Sequence, residues 1–144
     1  MKTILVGLDG SPRAAGVLRY AESLARSTGS KLFLFRSFGI PADMTLAWPA
    51  SDTDLESALQ EQAQKYLNAI TREVPTELFG GARVALGVPW QAVCKAAIDE
   101  RADLIVVGSH GYGGIDHLLG TTAARVVNHA DRPVLVVRGP SVLA

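Results

Sequence analysis

Residues 103 to 138, DLIVVGSHGYGGIDHLLGTTAARVVNHADRPVLVVR, constrain this chain more than any other stretch. An unbroken apolar run, Leu104 to Val107, stops at Gly108. A glycine-rich loop leads to an amphipathic helical pattern that begins at Thr121, and a second apolar run, Val134 to Val137, follows Pro133. Apolar runs without alternation predict strands buried on both faces, and two of them joined through a helix predict a parallel pair. Glycines at 108, 111, 113, 114 and 120 let the connection turn sharply and bring its backbone close to a ligand. The first N–H groups of a helix have no internal partner and lie at the positive end of its dipole, so strand, loop and helix start read as a phosphate cradle. A flexible βα connection is the other reading of the same glycines.

The rest of the chain repeats the alternation. Thr3 to Leu8 is an apolar, partly β-branched run that stops at Asp9-Gly10-Ser11-Pro12, where Ser11 is placed to cap a helix and Pro12 suits its first turn. That helix carries Ala14, Val17, Leu18, Ala21, Leu24 and Ala25 on one face and ends near Gly29. Lys31 to Phe38 is the second strand. The loop from Gly39 to Ala50, with Pro41, Met44, Trp48 and Pro49, is long enough to cover a site. Ser51 and Asp52 open the longest helix, with Leu55, Leu59, Ala63, Tyr66, Ile70 and Val74 at helical spacing up to Pro75; none of it looks chemical. Ala82 to Leu86 is a third strand, and Gly87-Val88-Pro89 starts a third helix that runs to Arg101. Leu104 to Val107, Thr121 to His129 and Val134 to Val137 are the fourth strand, the fourth helix and the fifth strand, followed by a tail from Gly139 to Ala144.

This order predicts one α/β domain over residues 1–144: an open, five-stranded parallel sheet, order 3-2-1-4-5, with four helices on both faces. Ligands bind such sheets at the carboxyl ends of the strands where the winding reverses, which here brings Asp9 and Gly108 together. The fifth strand lies at an edge, and an apolar edge is hidden by pairing with a second copy, so a homodimer through Val134 to Val137 is expected.

Charge and composition remove other classes. Lys plus Arg and Asp plus Glu number 14 each, so nothing points to nucleic acid or an anionic membrane. No stretch reaches the length of a membrane span and the start lacks the features of a signal peptide, so a cytoplasmic location is expected. A single cysteine, Cys94, allows no internal disulfide and reads as a small core residue. No G-x-x-x-x-G-K-[ST] occurs, no G-x-G-x-x-G follows the first strand, and Val107 stands where a G-x-S-x-G elbow needs glycine, so Ser109 is not read as a nucleophile. His110, His117 and His129 lack the companions of a metal site. His110 lies within the glycine loop, to stack on or donate to a ligand or simply to face solvent. Asp9 is either a structural acid beside Ser11 or an acceptor for a ligand's base or sugar. Thr121 and Thr122 are either ordinary first-turn residues or phosphate donors through hydroxyl and N–H.

The segments ILVGLDGS, DLIVVGSHG and GTTAARVVNHADRPVLVVR together resemble the universal stress proteins, over essentially the whole chain. Nucleotide-binding members of that family show G-x2-G-x9-G-[ST]. Here Gly108-x2-Gly111 is followed by eight residues, Tyr112 to Leu119, before Gly120-Thr121, so the loop is one residue short. The resemblance implies a Rossmann-like fold of the adenine nucleotide alpha hydrolase kind that binds ATP, AMP or ADP, with Mg2+ accompanying the phosphates. It puts Asp9 and the backbone near Ser37 by the base, Gly108, Ser109, His110 and Gly111 by ribose and phosphate, and Gly120, Thr121 and Thr122 on the phosphates. Ser37 replaces an apolar residue common there. The family implies dimers through the last strand and a stress-response role. No group is placed for fast hydrolysis, so any ATPase activity is expected to be slow. Part of the family works without nucleotide, through dimer or partner contacts, and the short loop favours that alternative.

Overall fold

The computed structural model describes residues 1–39, 53–109 and 119–138. Their strands are β1 (Thr3–Gly7), β2 (Lys31–Phe38), β3 (Phe79–Leu86), β4 (Leu104–Gly108) and β5 (Val134–Val137), and their helices are α1 (Ala14–Thr28), α2 (Thr53–Thr71), α3 (Pro89–Asp99) and α4 (Thr121–His129). All strands pair in parallel, in the order β3-β2-β1-β4-β5, as expected from the alternation.

Because side chains alternate across a strand, each central strand feeds two cores. Ile4 and Val6 of β1, Leu32 and Leu34 of β2, and Leu104 and Val106 of β4 pack with Val17, Leu18 and Ala21 of α1 and Leu67 of α2. Leu5, Phe35, Ile105 and Val107 point the other way, onto Val93, Ala96 and Ala97 of α3 and Ala123 and Val126 of α4. Helices α1 and α2 therefore cover one face and α3 and α4 the other, so the winding reverses between β1 and β4.

Several boundaries differ from expectation for local reasons. The start of α1 is not capped by Ser11: Arg13 holds the cap position, and Ser11 Oγ accepts the Arg13 N–H at 3.2 Å in the turn before it. At the other end Gly29 closes α1 with φ +70°, where a side chain would be strained. Strand β3 begins at Phe79 rather than Ala82; Gly80 and Gly81 interrupt its apolar pattern, and its register against β2 shifts opposite Leu32 and Phe33. Helix α2 stops at Thr71, short of Pro75, and α3 at Asp99, short of Arg101. The start of the longest helix at Ser51 and Asp52, most of the covering loop before it, and the C-terminal tail lie outside the described residues.

The lower ends of β1 and β4 are tied by Asp103, whose carboxylate accepts the N–H groups of Lys2 at 2.7 Å and Thr3 at 3.0 Å. Those bonds, Thr3 first, hold its carboxyl below the usual carboxylate range. A depressed carboxylate stabilises the fold above its unfolded pKa and ceases to do so as the pH falls through its folded one. Wild type is therefore expected to melt above Asp103→Asn by a margin that is constant above about pH 5 and closes on acidification, measured by thermal melts across pH. Phe35 is fully buried between β2 and the α3–α4 layer; Phe35→Ala is expected to lower unfolding free energy by about 3–5 kcal/mol in denaturant titrations.

Candidate functional site

Beyond the reversal of winding, the carboxyl ends of β1, β2 and β4 open into one cavity of about 670 Å3. Its floor is Gly7 at the end of β1 with Leu8 and Asp9 after it, and Val107 and Gly108 of β4; Arg36, Ser37, Phe38 and Gly39 form the β2 end. Three helices wall it: α2 through Leu59, Gln62 and Ala63, α3 through Pro89 and Val93, and α4 through Thr121, Thr122 and Ala123. The two strand ends that the sequence singled out, at Asp9 and Gly108, thus share one concavity.

The α4 side is a set of donors. Gly120 precedes the helix with φ −63° and ψ 164°, and as a glycine it brings no side chain to cap it. The first intrahelical bond runs from the Ala124 N–H to the Gly120 carbonyl at 2.9 Å. The N–H groups of Thr121, Thr122 and Ala123 come before that bond, at the positive end of the dipole, and those residues line the cavity. Gly120 spends its own N–H on the Ser109 carbonyl at 3.0 Å, and Ser109 donates its N–H to the Val137 carbonyl at 2.9 Å. Ser109 is buried, 6% exposed, and is not a lining residue; it closes the base of the loop. His110 and Gly111 lie outside the described residues.

The β1–β2 side carries the charged groups. Asp9 Oδ1 accepts the Ser11 N–H at 2.9 Å, so the structural reading of this acid holds, yet the residue is exposed and lines the cavity as well. Arg36 lies against Gly10 and over the Tyr66 ring, its guanidinium carbon 4.8 Å from the ring centre. Burial pushes the Tyr66 hydroxyl above its ordinary pKa, against the pull of Arg36, so it stays neutral through the physiological range.

Sequence reasoning missed Arg36 and the whole contribution of α2. The signal for Arg36 was a charge in an otherwise apolar strand, KLFLFRSF; for α2 none existed, because its lining residues read as core at helical spacing. Cys94 is only part-buried, packed beside Val93 and Ala97. Burial, with Asp131 nearby, raises its thiol, which stays protonated. His129 and Trp90, neither of them a lining residue, set tilted rings with centres 4.4 Å apart. Among the described residues no three His, Cys, Asp or Glu side chains gather as a metal site, and no helix is long and apolar enough to cross a membrane.

Comparison with known proteins gives this geometry its relatives. A model of the Universal stress protein family matches residues 1–138. A universal stress protein of Thermus aquaticus, encoded in the QAH/OAS sulfhydrylase 3' region, is 36% identical over 140 residues, 95% of this chain and 98% of the relative. Two solved structures share the fold: universal stress protein UspA from Lactobacillus plantarum, TM-score 0.77 at 24% identity over 95% of this chain and 97% of that one, and an Arabidopsis thaliana family protein with AMP bound, TM-score 0.71 at 20% identity over 98% and 94%. Sequence kinship across nearly the full length, on this strand order, leaves one conclusion: the chain belongs to the universal stress protein family.

Proposed function

We propose that the cavity binds an adenine nucleotide, ATP or AMP, with its phosphates at the start of α4 and its base toward Asp9 and Ser37. The observation that carries this reading is the start of α4, where the N–H groups of Thr121, Thr122 and Ala123 precede the first intrahelical bond and the three residues line the cavity beyond Gly108. The AMP bound by the Arabidopsis relative supports the choice of adenine. Thr121 and Thr122 add hydroxyl donors, and Gly120 lets a phosphate approach without a side chain in the way. Mg2+, where it accompanies a triphosphate, rides on phosphate oxygens and water, because the carboxylate among the described lining residues is Asp9, on the base side. Among the described lining residues none beside α4 is a carboxylate or histidine that could act as a general base, and on this reading hydrolysis is slow. On this reading the protein is a nucleotide-responsive module of the cytoplasm.

A second reading, contact through a dimer or partner without nucleotide, is favoured by the eight-residue spacing and by Gly120, whose N–H is spent on Ser109 rather than offered to a ligand. Calorimetry decides between the two. AMP and Mg-ATP are expected to bind one per chain, and protein denatured straight from purification is expected to release adenine nucleotide detectable by mass spectrometry. No heat and no released nucleotide would leave the second reading standing. Thr121→Pro tests the cradle itself: proline suits the first helical position and follows an extended Gly120, so the helix survives while one donor is lost. It is expected to weaken AMP about tenfold and leave adenosine unchanged.

The proposed homodimer forms through β5. The Pro133 and Val137 carbonyls accept bonds from Ile105 and Ser109, so by alternation Leu135 also faces β4 while Val134 and Val136 turn their N–H and C=O groups outward. Val136→Pro removes one outward donor without touching the ladder to β4. Sedimentation is expected to show a dimer for wild type and a monomer for this variant; two dimers would exclude the β5 edge.

A further inference from the structure

The nucleotide reading leaves one charged group of the cavity without a role. Arg36 shares its side of β2 with Leu32 and Leu34, the side covered by α1 and α2. At the carboxyl end of the strand that side no longer holds core but opens into the cavity, which Arg36 lines. The guanidinium is held in place there. One contact is the Tyr66 ring at 4.8 Å, and the other is Gly10, where a Cβ would lie 2.6 Å from the guanidinium carbon. Gly10, at φ +77°, thus serves both the turn after β1 and the room that Arg36 takes.

Among the described residues no acceptor meets it. Arg36 Nε is buried with no hydrogen-bond partner among the described residues, and the Tyr66 hydroxyl beside the Gly10 N–H is likewise buried without a bond of full geometry. A buried donor left unmet is costly, and a guanidinium braced by an aromatic ring and a glycine turn, not by a carboxylate, is preorganised for an acceptor that arrives from outside. Its place fixes which part of a ligand that is. In the order β2-β1-β4 the end of β2 lies two strand spacings, roughly 10 Å, from the end of β4, where the phosphate donors begin.

We infer that Arg36 is a ligand-binding residue for the nucleoside end, its guanidinium donating to an acceptor atom of the base or ribose, with Tyr66 as the residue that positions it. Arg36 is donor-only and Asp9 acceptor-only, and an adenine base offers the complement to both: ring nitrogens that accept and an amino group that donates. The inference rests on the nucleotide reading of the same cavity but is tested separately from it.

The experiment is calorimetry of adenosine and AMP on the full chain, with melting curves to verify folding. Arg36→Met is expected to weaken adenosine and AMP by the same factor, about tenfold. Arg36→Lys keeps the charge, and so guards against a variant that does not fold, but lacks the planar fork and is expected to lose the same affinity. Tyr66→Leu is expected to weaken adenosine in the wild-type background and to add nothing in Arg36→Met, a non-additivity that a merely structural tyrosine would not give. Full adenosine affinity in the Arg36 variants, or a loss confined to AMP, overturns the assignment of Arg36 and leaves the nucleotide reading standing. A wild type that binds neither ligand overturns both, and does so before any variant is made.

Discussion

Strands β1 and β4 pair in parallel at the centre of the sheet, and because Thr3 and Asp103 lie 100 residues apart, this pairing closes the longest loop among the central strands. Closing it costs chain entropy that a few backbone bonds cannot repay. What repays it is burial on both sides at once: Ile4, Val6, Leu104 and Val106 against α1 and α2, Leu5, Ile105 and Val107 against α3 and α4. The same pairing is where the winding reverses. Chains leaving the ends of β1 and β4 depart to opposite faces, and the gap between them is the cavity.

That cavity has an electrical asymmetry that no single residue creates. On one side, the first N–H groups of α4 present positive potential without any cationic side chain. On the other, Asp9 and Arg36 line the cavity as an acceptor and a donor, anchored by the Ser11 N–H and by Tyr66 with Gly10. A chain with equal numbers of basic and acidic residues thus sets a helix start at one end of the cavity and mixed polarity at the other, the arrangement on which the proposed nucleotide reading rests. The family relationship adds weight to that reading; the polarity of the cavity is a property of this chain.

Legibility followed the range of the interactions. The apolar runs of β1, β2, β4 and β5 were readable because a parallel strand buried on both faces leaves no polar alternation, and α4 was readable to its ends because glycine and threonine mark its start. Strand β3 was cut short on reading because Gly80 and Gly81 look like a break, although pairing with β2 through a shifted register retains them. Ser11 read as a helix cap because serine before proline usually is one; in the fold it caps a tighter turn, and the helix waits until Ala14.

For the site, Asp9, Gly108, Thr121 and Thr122 were named from local pattern and Ser37 from the family resemblance, and all five line the cavity, whereas Arg36, Gln62 and Pro89 line it and Tyr66 meets Arg36 without any of them having been read as site residues. The sequence by itself determined the succession of strands and helices and the start of α4 at Gly120-Thr121, since each depends on residues near in the chain. Only the tertiary structure decided that α2 packs across β2 and β3 and so lines the cavity, that Tyr66 meets Arg36, and that Gly10 makes room for it. Those are contacts between elements whose faces look like ordinary core or surface until packing sets them against one another.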